Sequence, residues 1–207
     1  MANITSPLTG LERKLLTFFI IHITEQFAIR EVARLTRLDY KRTHTTIQNL
    51  VKKGILIKTR QANIDLCCLN LKGDLSSVYY VEMLRAKEFL DKHVELKNFF
   101  ETLNEKIKTL YYALIIFGSF ARGKEKKTSD VDLLIIAPTR LIGEEIERIV
   151  GSESILLNNN VQPIVLDEAE FIENLSGKKV NVVVEVFKNH IIITGVEAFY
   201  TGVKQTR

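Results

Sequence analysis

The sequence predicts a two-domain α+β protein in which a basic, mainly helical N-terminal domain precedes an α/β C-terminal domain. Three observations support this prediction. Apolar residues recur at helical spacing through the first half, a stretch free of Pro and Gly separates the halves, and short apolar runs alternate with polar turns from Tyr111 onward. The 207 residues are 46% hydrophobic and 26% charged, as in ordinary globular proteins, which argues against a largely disordered chain.

The N-terminal domain, residues 1–74, is predicted to contain three helices followed by a β-hairpin. Asp39 is placed to cap the third helix, and Gly54 stands where a left-handed residue would end it. Gln61-Ala62-Asn63 separates two β-prone runs, which suits a hairpin loop. The predicted elements are helices over residues 8–21, 28–35 and 40–53 and strands over 55–60 and 64–70.

Charge is concentrated in this half. Residues 1–75 carry twelve Lys/Arg and six Asp/Glu, a net charge of +6, whereas the remainder has a net charge of −2. Residues 41–60 contain six basic residues and no acid. Such an imbalance favours a nucleic-acid partner, although a solvated basic face would have the same composition.

The order of three helices and a hairpin resembles the winged helix-turn-helix DNA-binding domain over about residues 8–72. The resemblance implies that the third helix enters the major groove of double-stranded DNA and that the hairpin contacts the backbone. Some winged helices instead dock proteins, and the acid-free basic stretch favours DNA. The implied DNA-binding residues are Tyr40, Lys41, Arg42, Thr43, His44, Thr46 and Gln48 on the helix and Lys58, Arg60 and Gln61 on the hairpin.

Residues 75–109 are predicted to be a helical connector. Leu, Phe and Val recur there at steps of three and four, and the stretch contains neither Pro nor Gly. Apolar spacing alone allows either a rigid link between domains or a dimer seam. Because winged helices commonly bind two-fold operators, we expect a homodimer.

The C-terminal domain, residues 110–207, contains the residues suited to catalysis. An apolar run over 112–117 predicts a buried strand that ends at Gly118-Ser119, and a lysine-rich loop leads to a second strand over 130–136. Asp130 and Asp132 alternate with Val131, so a strand would project both carboxylates from one face. Two close carboxylates repel each other unless a cation lies between them, and this pair therefore predicts a site for Mg²⁺ or Mn²⁺.

Gly118-Ser119, a ten-residue gap and Asp130-x-Asp132 before an apolar run resemble the signature of polymerase-β-type minimal nucleotidyltransferases, over roughly residues 95–207. The resemblance implies an α/β fold with a mixed sheet and a metal-bound NTP, with ATP expected. It also implies transfer of a nucleoside monophosphate with release of pyrophosphate. Asp130 and Asp132 would be the catalytic metal ligands. The implied nucleotide-binding residues are Gly118, Ser119, Arg122 and Gly123.

The resemblance also implies a third carboxylate on a later strand, predicted over 160–166. The matching position is Gln162, which is neutral and cannot act as a base. Asp167 and Glu168 could substitute, but acids there better suit the start of the next helix. Residues 180–187 are strand-like by propensity and helical by resemblance, and we expect a helix. A strand over 190–194 and a last helix after Gly195 should follow.

These features predict a DNA-binding protein whose nucleotidyltransferase domain binds Mg-NTP and modifies a protein or small-molecule acceptor. The order of the two modules resembles a group of archaeal-type predicted regulators. One alternative is an inactive transcriptional regulator with the nucleotide as effector, which Gln162 favours. Another is an antitoxin-like enzyme that acts on a toxin partner. No signal peptide or membrane span is evident, and the two cysteines are adjacent, so we expect a cytoplasmic protein without a membrane partner.

Overall fold

The structure is a computed structural model that describes residues 8–176 and 182–205. The chain divides into two compact units, Met1–Val81 and Glu82–Arg207. The division falls inside one helix, whereas the predicted boundaries lie at 74/75 and 109/110. Among the described helices, none combines the length and the apolar character needed to cross a membrane.

In its described part, the first unit contains three complete helices, the start of a fourth and a small antiparallel sheet. The sheet has the order β1-β3-β2, and apolar side chains of all three helices are buried. The two-residue strand β1 pairs with β3 and is too short for the sequence pattern to reveal. In chain order the elements are α1 (Gly10–Ile21), β1 (Phe27–Ala28), α2 (Ile29–Thr36), α3 (Tyr40–Lys52), β2 (Leu56–Gln61) and β3 (Ile64–Leu69).

Local signals place the ends of these elements. The Asp39 side chain accepts a hydrogen bond from the Arg42 N–H at 2.9 Å, which confirms the predicted cap of α3. Gly54 has a φ of 71°, the left-handed conformation that glycine adopts most readily. Gln61 corrects one prediction, because it pairs with Ile64 as the last residue of β2 and is not part of the loop.

Two helices occupy most of the predicted connector. They are α4 (Ser76–Lys92) and α5 (Val94–Lys106), which are interrupted at His93. From Ala86 onward, the buried apolar side chains of both helices belong to the same core as the strands of the second unit. This part of the stretch is therefore integral to the second unit rather than a separate link.

The second unit is built on a mixed four-stranded sheet with the order β6-β5-β4-β7. β5 and β6 are parallel, whereas β4 is antiparallel to both of its neighbours. β4 and β5 are almost wholly buried, which explains their continuous apolar runs. After α5 come β4 (Ala113–Phe117), α6 (Gly118–Ala121), β5 (Val131–Ala137), α7 (Arg140–Ser154), β6 (Val161–Asp167), α8 (Glu168–Ser176), α9 (Val182–Lys188), β7 (Ile191–Thr194) and α10 (Val196–Gln205).

The segment with conflicting signals is a helix in its described part. Val182–Lys188 forms α9, so the strand indicated by β-propensity is wrong there, and the expected helix is confirmed. Val183, Val186 and Phe187 are buried at helical spacing, and tertiary packing of that face overrides the preference of Val for strands. Residues 180 and 181 of the prediction lie outside the described residues.

Candidate functional site

The turn after β4 brings Gly118 directly against Asp132. β4 and β5 are antiparallel with Phe117 opposite Asp132, so the residue that follows β4 lies beside that carboxylate. A Cβ on Gly118 would overlap the Asp132 side chain, and Gly118 also has a φ of 68°. Both observations require glycine at this position.

The two aspartates lie at the start of β5 and influence each other electrostatically. Asp130 is exposed just before the strand, and Asp132 is half-buried within it. Burial of Asp132, together with the negative charge of Asp130, raises the pKa of Asp132, while Arg122 acts in the opposite direction. The two aspartates therefore concentrate negative charge that Arg122 offsets only in part.

Gln162 occupies the position where the third carboxylate was expected. In the parallel pairing of β5 and β6 it lies opposite Asp132. Its side-chain Nε2 donates a hydrogen bond to Oδ2 of Asp130 at 2.7 Å. The neutral amide thus contacts the carboxylate pair directly.

Asp167 and Glu168 are too far along β6 to replace that carboxylate. Asp167 ends the strand five residues after Gln162, a separation of about 16 Å in an extended chain. Its carboxylate accepts a hydrogen bond from the Glu170 N–H at 2.8 Å, and Glu170 accepts one from the Asp167 N–H at 3.0 Å. The two acids therefore start α8, as the sequence favoured.

The loop between α6 and β5 is held in place by Asn159, which the sequence analysis missed. The Asn159 side chain donates hydrogen bonds to the carbonyls of Lys127 at 3.2 Å and Ser129 at 2.9 Å. The Ser129 hydroxyl in turn accepts from the Lys126 N–H at 2.8 Å. The only sequence signal was the run of three asparagines immediately before β6.

The other predicted nucleotide residues lie around the α6 turn. Ser119 is half-buried and its carbonyl accepts from the Lys124 N–H at 3.0 Å, while Gly123 has a φ of 62°. Arg122 is exposed, and its guanidinium lies 3.8 Å from a carboxylate oxygen of Glu185 on α9. Glu185 is a second residue that sequence reasoning missed, because it lies 63 residues farther along the chain.

The carboxylate oxygens of Asp130 and Asp132 are suited to one hard cation. Carboxylate oxygens are the ligands that Mg²⁺ prefers, and the site offers two carboxylates at the start of β5. In the part of the chain that the structure describes, no group of three or more His, Cys, Asp or Glu side chains is arranged to hold a metal ion. Phosphate and water oxygens are further ligands that Mg²⁺ commonly takes.

On the first unit, the predicted DNA-binding residues divide into exposed and buried sets. Tyr40, Lys41, Arg42 and His44 of α3 are exposed, as are Lys58 and Arg60 of β2, and Gln48 is half-buried. Thr43 and Thr46 correct the prediction, since they are only 0% and 8% exposed. At 2.8 Å each, the Thr43 hydroxyl donates to the carbonyl of the cap residue Asp39 and the Thr46 hydroxyl to the carbonyl of Arg42, because both positions lie on the helix face that packs inward.

A cavity of about 520 Å³ opens between α3, the start of α2 and the hairpin. Tyr40, His44 and Arg60 line it together with Arg30 and Asn63. The guanidinium of Arg30 lies 5.6 Å from the centre of the Tyr40 ring, a cation–π contact. Arg30 was not among the predicted contacts, because its place on α2 separates it from the basic run of residues 41–60.

The family model described as a nucleotidyltransferase domain matches residues 95–194. The match contains Gly118, Asp130, Asp132 and Gln162 and lies wholly within the second unit. Comparison with curated proteins and comparison with solved structures each give no match. The family match and the α+β architecture with its mixed sheet support the nucleotidyltransferase part of the sequence-based resemblance, over residues 95–194.

Proposed function

We propose that the second unit binds an NTP together with a divalent cation and transfers a nucleoside monophosphate to a hydroxyl or amine of a protein or small-molecule acceptor. One observation carries the proposal: Gly118 lies directly against Asp132, beside Asp130, within the matched nucleotidyltransferase region. This arrangement joins a turn that phosphates can approach closely to a pair of acids that repel each other.

In this proposal Asp130 and Asp132 hold Mg²⁺ or Mn²⁺. The cation, when bound, neutralises charge on the phosphate oxygens. Gly118 leaves room for the triphosphate at the turn, and Ser119 offers a hydroxyl and an N–H beside it. Gly123 ends the α6 turn, and Arg122 provides positive charge there. We propose ATP as the nucleotide.

A second function is favoured by Gln162. Its amide lies where a carboxylate could otherwise activate the acceptor, and an amide cannot accept a proton at neutral pH. In this version the bound nucleotide is an effector of the first unit, and no transfer takes place. Reciprocal coupling would then be required, with ATP changing DNA affinity by the same factor as DNA changes ATP affinity.

Nucleotide binding is tested by calorimetric titration of Mg-ATP into the full-length protein. The Asp130→Asn/Asp132→Asn variant should lose metal-dependent binding by about 100-fold or more, because it removes both carboxylate ligands. Asp91→Asn, an exposed aspartate of α4, is the control and should bind as the wild type does. Equal binding by the wild type and the double variant, or no binding at millimolar Mg-ATP, would refute the proposal.

We propose further that the first unit is a winged helix that binds duplex DNA. The support is a set of exposed side chains with affinity for phosphates and base edges: Tyr40, Lys41, Arg42, His44, Lys58 and Arg60. Arg30 extends this set, because it shares a cavity with Tyr40, His44 and Arg60. A homodimer on a two-fold operator and an acceptor that is a toxin-like partner chain stay predictions.

DNA binding is tested by fluorescence anisotropy on a labelled 24-base-pair duplex at several salt concentrations. Lys41→Gln and Arg42→Gln should each weaken binding and lower the salt slope by about 0.9, the loss of one phosphate contact. Arg30→Gln should do the same if Arg30 contacts a phosphate. Lys14→Gln, an exposed lysine of α1, is the control. If the salt slope is the same for the wild type and for both α3 variants, this surface does not bind DNA.

A further inference from the structure

We infer that the carboxylate site holds a single divalent cation, the one that accompanies the nucleotide, and that Gln162 excludes a second ion. The inference rests on the proposed nucleotide binding and assigns a role to a residue that the proposal otherwise treats as a missing base. It is carried by the hydrogen bond between Gln162 and Asp130 and by the charge available at the site.

The charge at the site suits one ion. Phosphoryl-transfer sites with two metals hold the ions about 3.5–4 Å apart and need negative ligands around both. Asp130 and Asp132 supply two negative charges, which balance one divalent cation. Among the described residues, no third His, Cys, Asp or Glu side chain joins them in an arrangement suited to a metal. A second ion would therefore have the phosphate oxygens of the nucleotide as negative ligands, but no carboxylate of its own from the protein.

The orientation of the Gln162 amide strengthens this argument. Its Nε2 donates to Oδ2 of Asp130 at 2.7 Å, so its hydrogens point toward the carboxylate pair. An amide N–H carries no lone pair for a metal ion. Rotation of the amide by 180° would face its carbonyl oxygen toward an ionised carboxylate, so two acceptors would be opposed. The Asp130 carboxylate thus favours the amide orientation in which the Gln162 N–H occupies Oδ2 of Asp130, an oxygen that could otherwise bind a metal ion.

The backbone register shows that side-chain chemistry, and not distance, is what excludes the second ion. Gln162 lies opposite Asp132 on the neighbouring parallel strand, and its side chain already reaches Asp130. An aspartate at this position would add a carboxylate on the same edge of the sheet. Its side chain is exposed, so the exchange leaves the core unchanged. A single substitution therefore changes the number of negative ligands at the site from two to three.

The test counts Mn²⁺ ions by electron paramagnetic resonance, with the α,β-methylene analogue of ATP so that no turnover is required. Full-length protein in excess over the analogue ensures that all nucleotide is bound. The six-line signal of aqueous Mn²⁺ measures the free ion. We expect one Mn²⁺ per bound nucleotide for the wild type and two for Gln162→Asp, whose spectrum should show a coupled pair. Gln162→Asn keeps a neutral amide and should hold one.

Two Mn²⁺ ions per nucleotide in the wild type would overturn the inference while leaving the proposed nucleotide binding intact. One ion in a folded Gln162→Asp variant would also overturn it, because Gln162 would not determine the number. Absence of nucleotide-dependent Mn²⁺ binding in the wild type would instead overturn the proposed function together with the inference. Circular dichroism melts verify that Gln162→Asp is folded, and the wild-type count tests the inference in any case.

Discussion

The second unit contains two acidic sites, an aspartate pair and a single buried glutamate, whose negative charges are compensated to different degrees. At the candidate site, Asp130 and Asp132 lie near each other, and the direct contact to Asp130 comes from the neutral Gln162. In the interior, the single carboxylate of Glu82 on α4 is 0% exposed and is bound on every side. The comparison separates negative charge that the protein compensates fully from negative charge that it compensates only in part.

Glu82 is surrounded by its own counter-charges. Its Oε2 accepts a hydrogen bond from Arg85 at 2.6 Å, and its Oε1 lies 2.9 Å from both His190 Nε2 and Tyr200 Oη. Burial acts to raise the pKa of Glu82, but the charges of Arg85 and His190 and the hydrogen bonds outweigh it and lower the pKa to about 2. The network joins α4 to α10 and to the residue immediately before β7, so its role is structural.

The opposite directions of the two pKa shifts express this difference. The pKa of Glu82 is lowered because the fold stabilises its charged form, whereas the pKa of Asp132 is raised because the fold does not. Where ionised carboxylates destabilise the ligand-free fold, a bound cation can relieve that cost by stabilising their charged form. Four predictions follow from this contrast, ordered by the expected change in the free energy of unfolding.

Glu82→Gln should produce the largest effect. It leaves Arg85 and His190 without their negative partner in the core, and breaking a buried ion pair in this way costs about 3–5 kcal/mol. The measurement is chemical denaturation at neutral pH. Glu88→Gln, on the exposed side of the same helix, should change stability by less than about 0.5 kcal/mol. An equal, small effect of both variants would remove the structural role of the Glu82 network.

Gly118→Ala should destabilise the protein by about 1–3 kcal/mol, because it forces a residue with a Cβ to keep a positive φ. The new methyl group also meets the Asp132 carboxylate, so Mg-ATP affinity should fall at the same time. Gly151→Ala is the matched control, since it lies in α7 with open space around the added atom. Thermal melts and calorimetry should therefore show loss for position 118 and no loss for position 151.

Asp132→Asn should slightly stabilise the ligand-free protein, by about 0.5 kcal/mol, while it weakens metal-dependent nucleotide binding. The raised pKa of Asp132 means that its ionisation opposes folding at pH values above that pKa, and Asn removes this cost. The gain should disappear in acid, where the native carboxylate is already protonated. A destabilised variant at neutral pH would contradict the contrast with Glu82.

Protonation in acid should change the free energy of unfolding in opposite directions at the two acidic sites. Glu82 contributes stability above its ordinary pKa of 4.5, and that contribution is lost as the pH falls toward about 2. Protonation of Asp132 instead relieves a cost, and it begins at a higher pH than for an ordinary aspartate. We expect denaturation curves to show acid destabilisation that Glu82→Gln lacks. Mg-ATP affinity should weaken about two- to tenfold from pH 7 to pH 5.

Much of the local structure followed from the sequence. The Asp39 cap, the left-handed Gly54, the hairpin and the apolar strands that flank the Gly118 turn were predicted, because each depends on neighbouring residues or on short-range periodicity. Which residues of α3 face the core and which face solvent was only partly predicted. Thr43 and Thr46 are compatible with either a groove or a core, and their burial follows from which face of the helix packs inward.

Long-range contacts account for what was missed. His190 showed no partner pattern in the sequence, since Glu82 lies 108 residues away. Arg30 and Asn159 likewise acquire their contacts only when separate elements are packed together. Two residues of β1 are too few for a periodic signal, and that strand exists because β3 offers it a pairing edge.

The sequence by itself determined the chemical identity of the site: a glycine at the turn, two alternating aspartates and a neutral glutamine in place of a third acid. It could do so because turn chemistry and the two-residue period of a strand are local properties of the chain. Only the tertiary structure decided that the Gln162 amide donates to Asp130, while Arg85, His190 and Tyr200 enclose Glu82. The physical reason is that the compensation of a charge depends on which distant elements pack beside it.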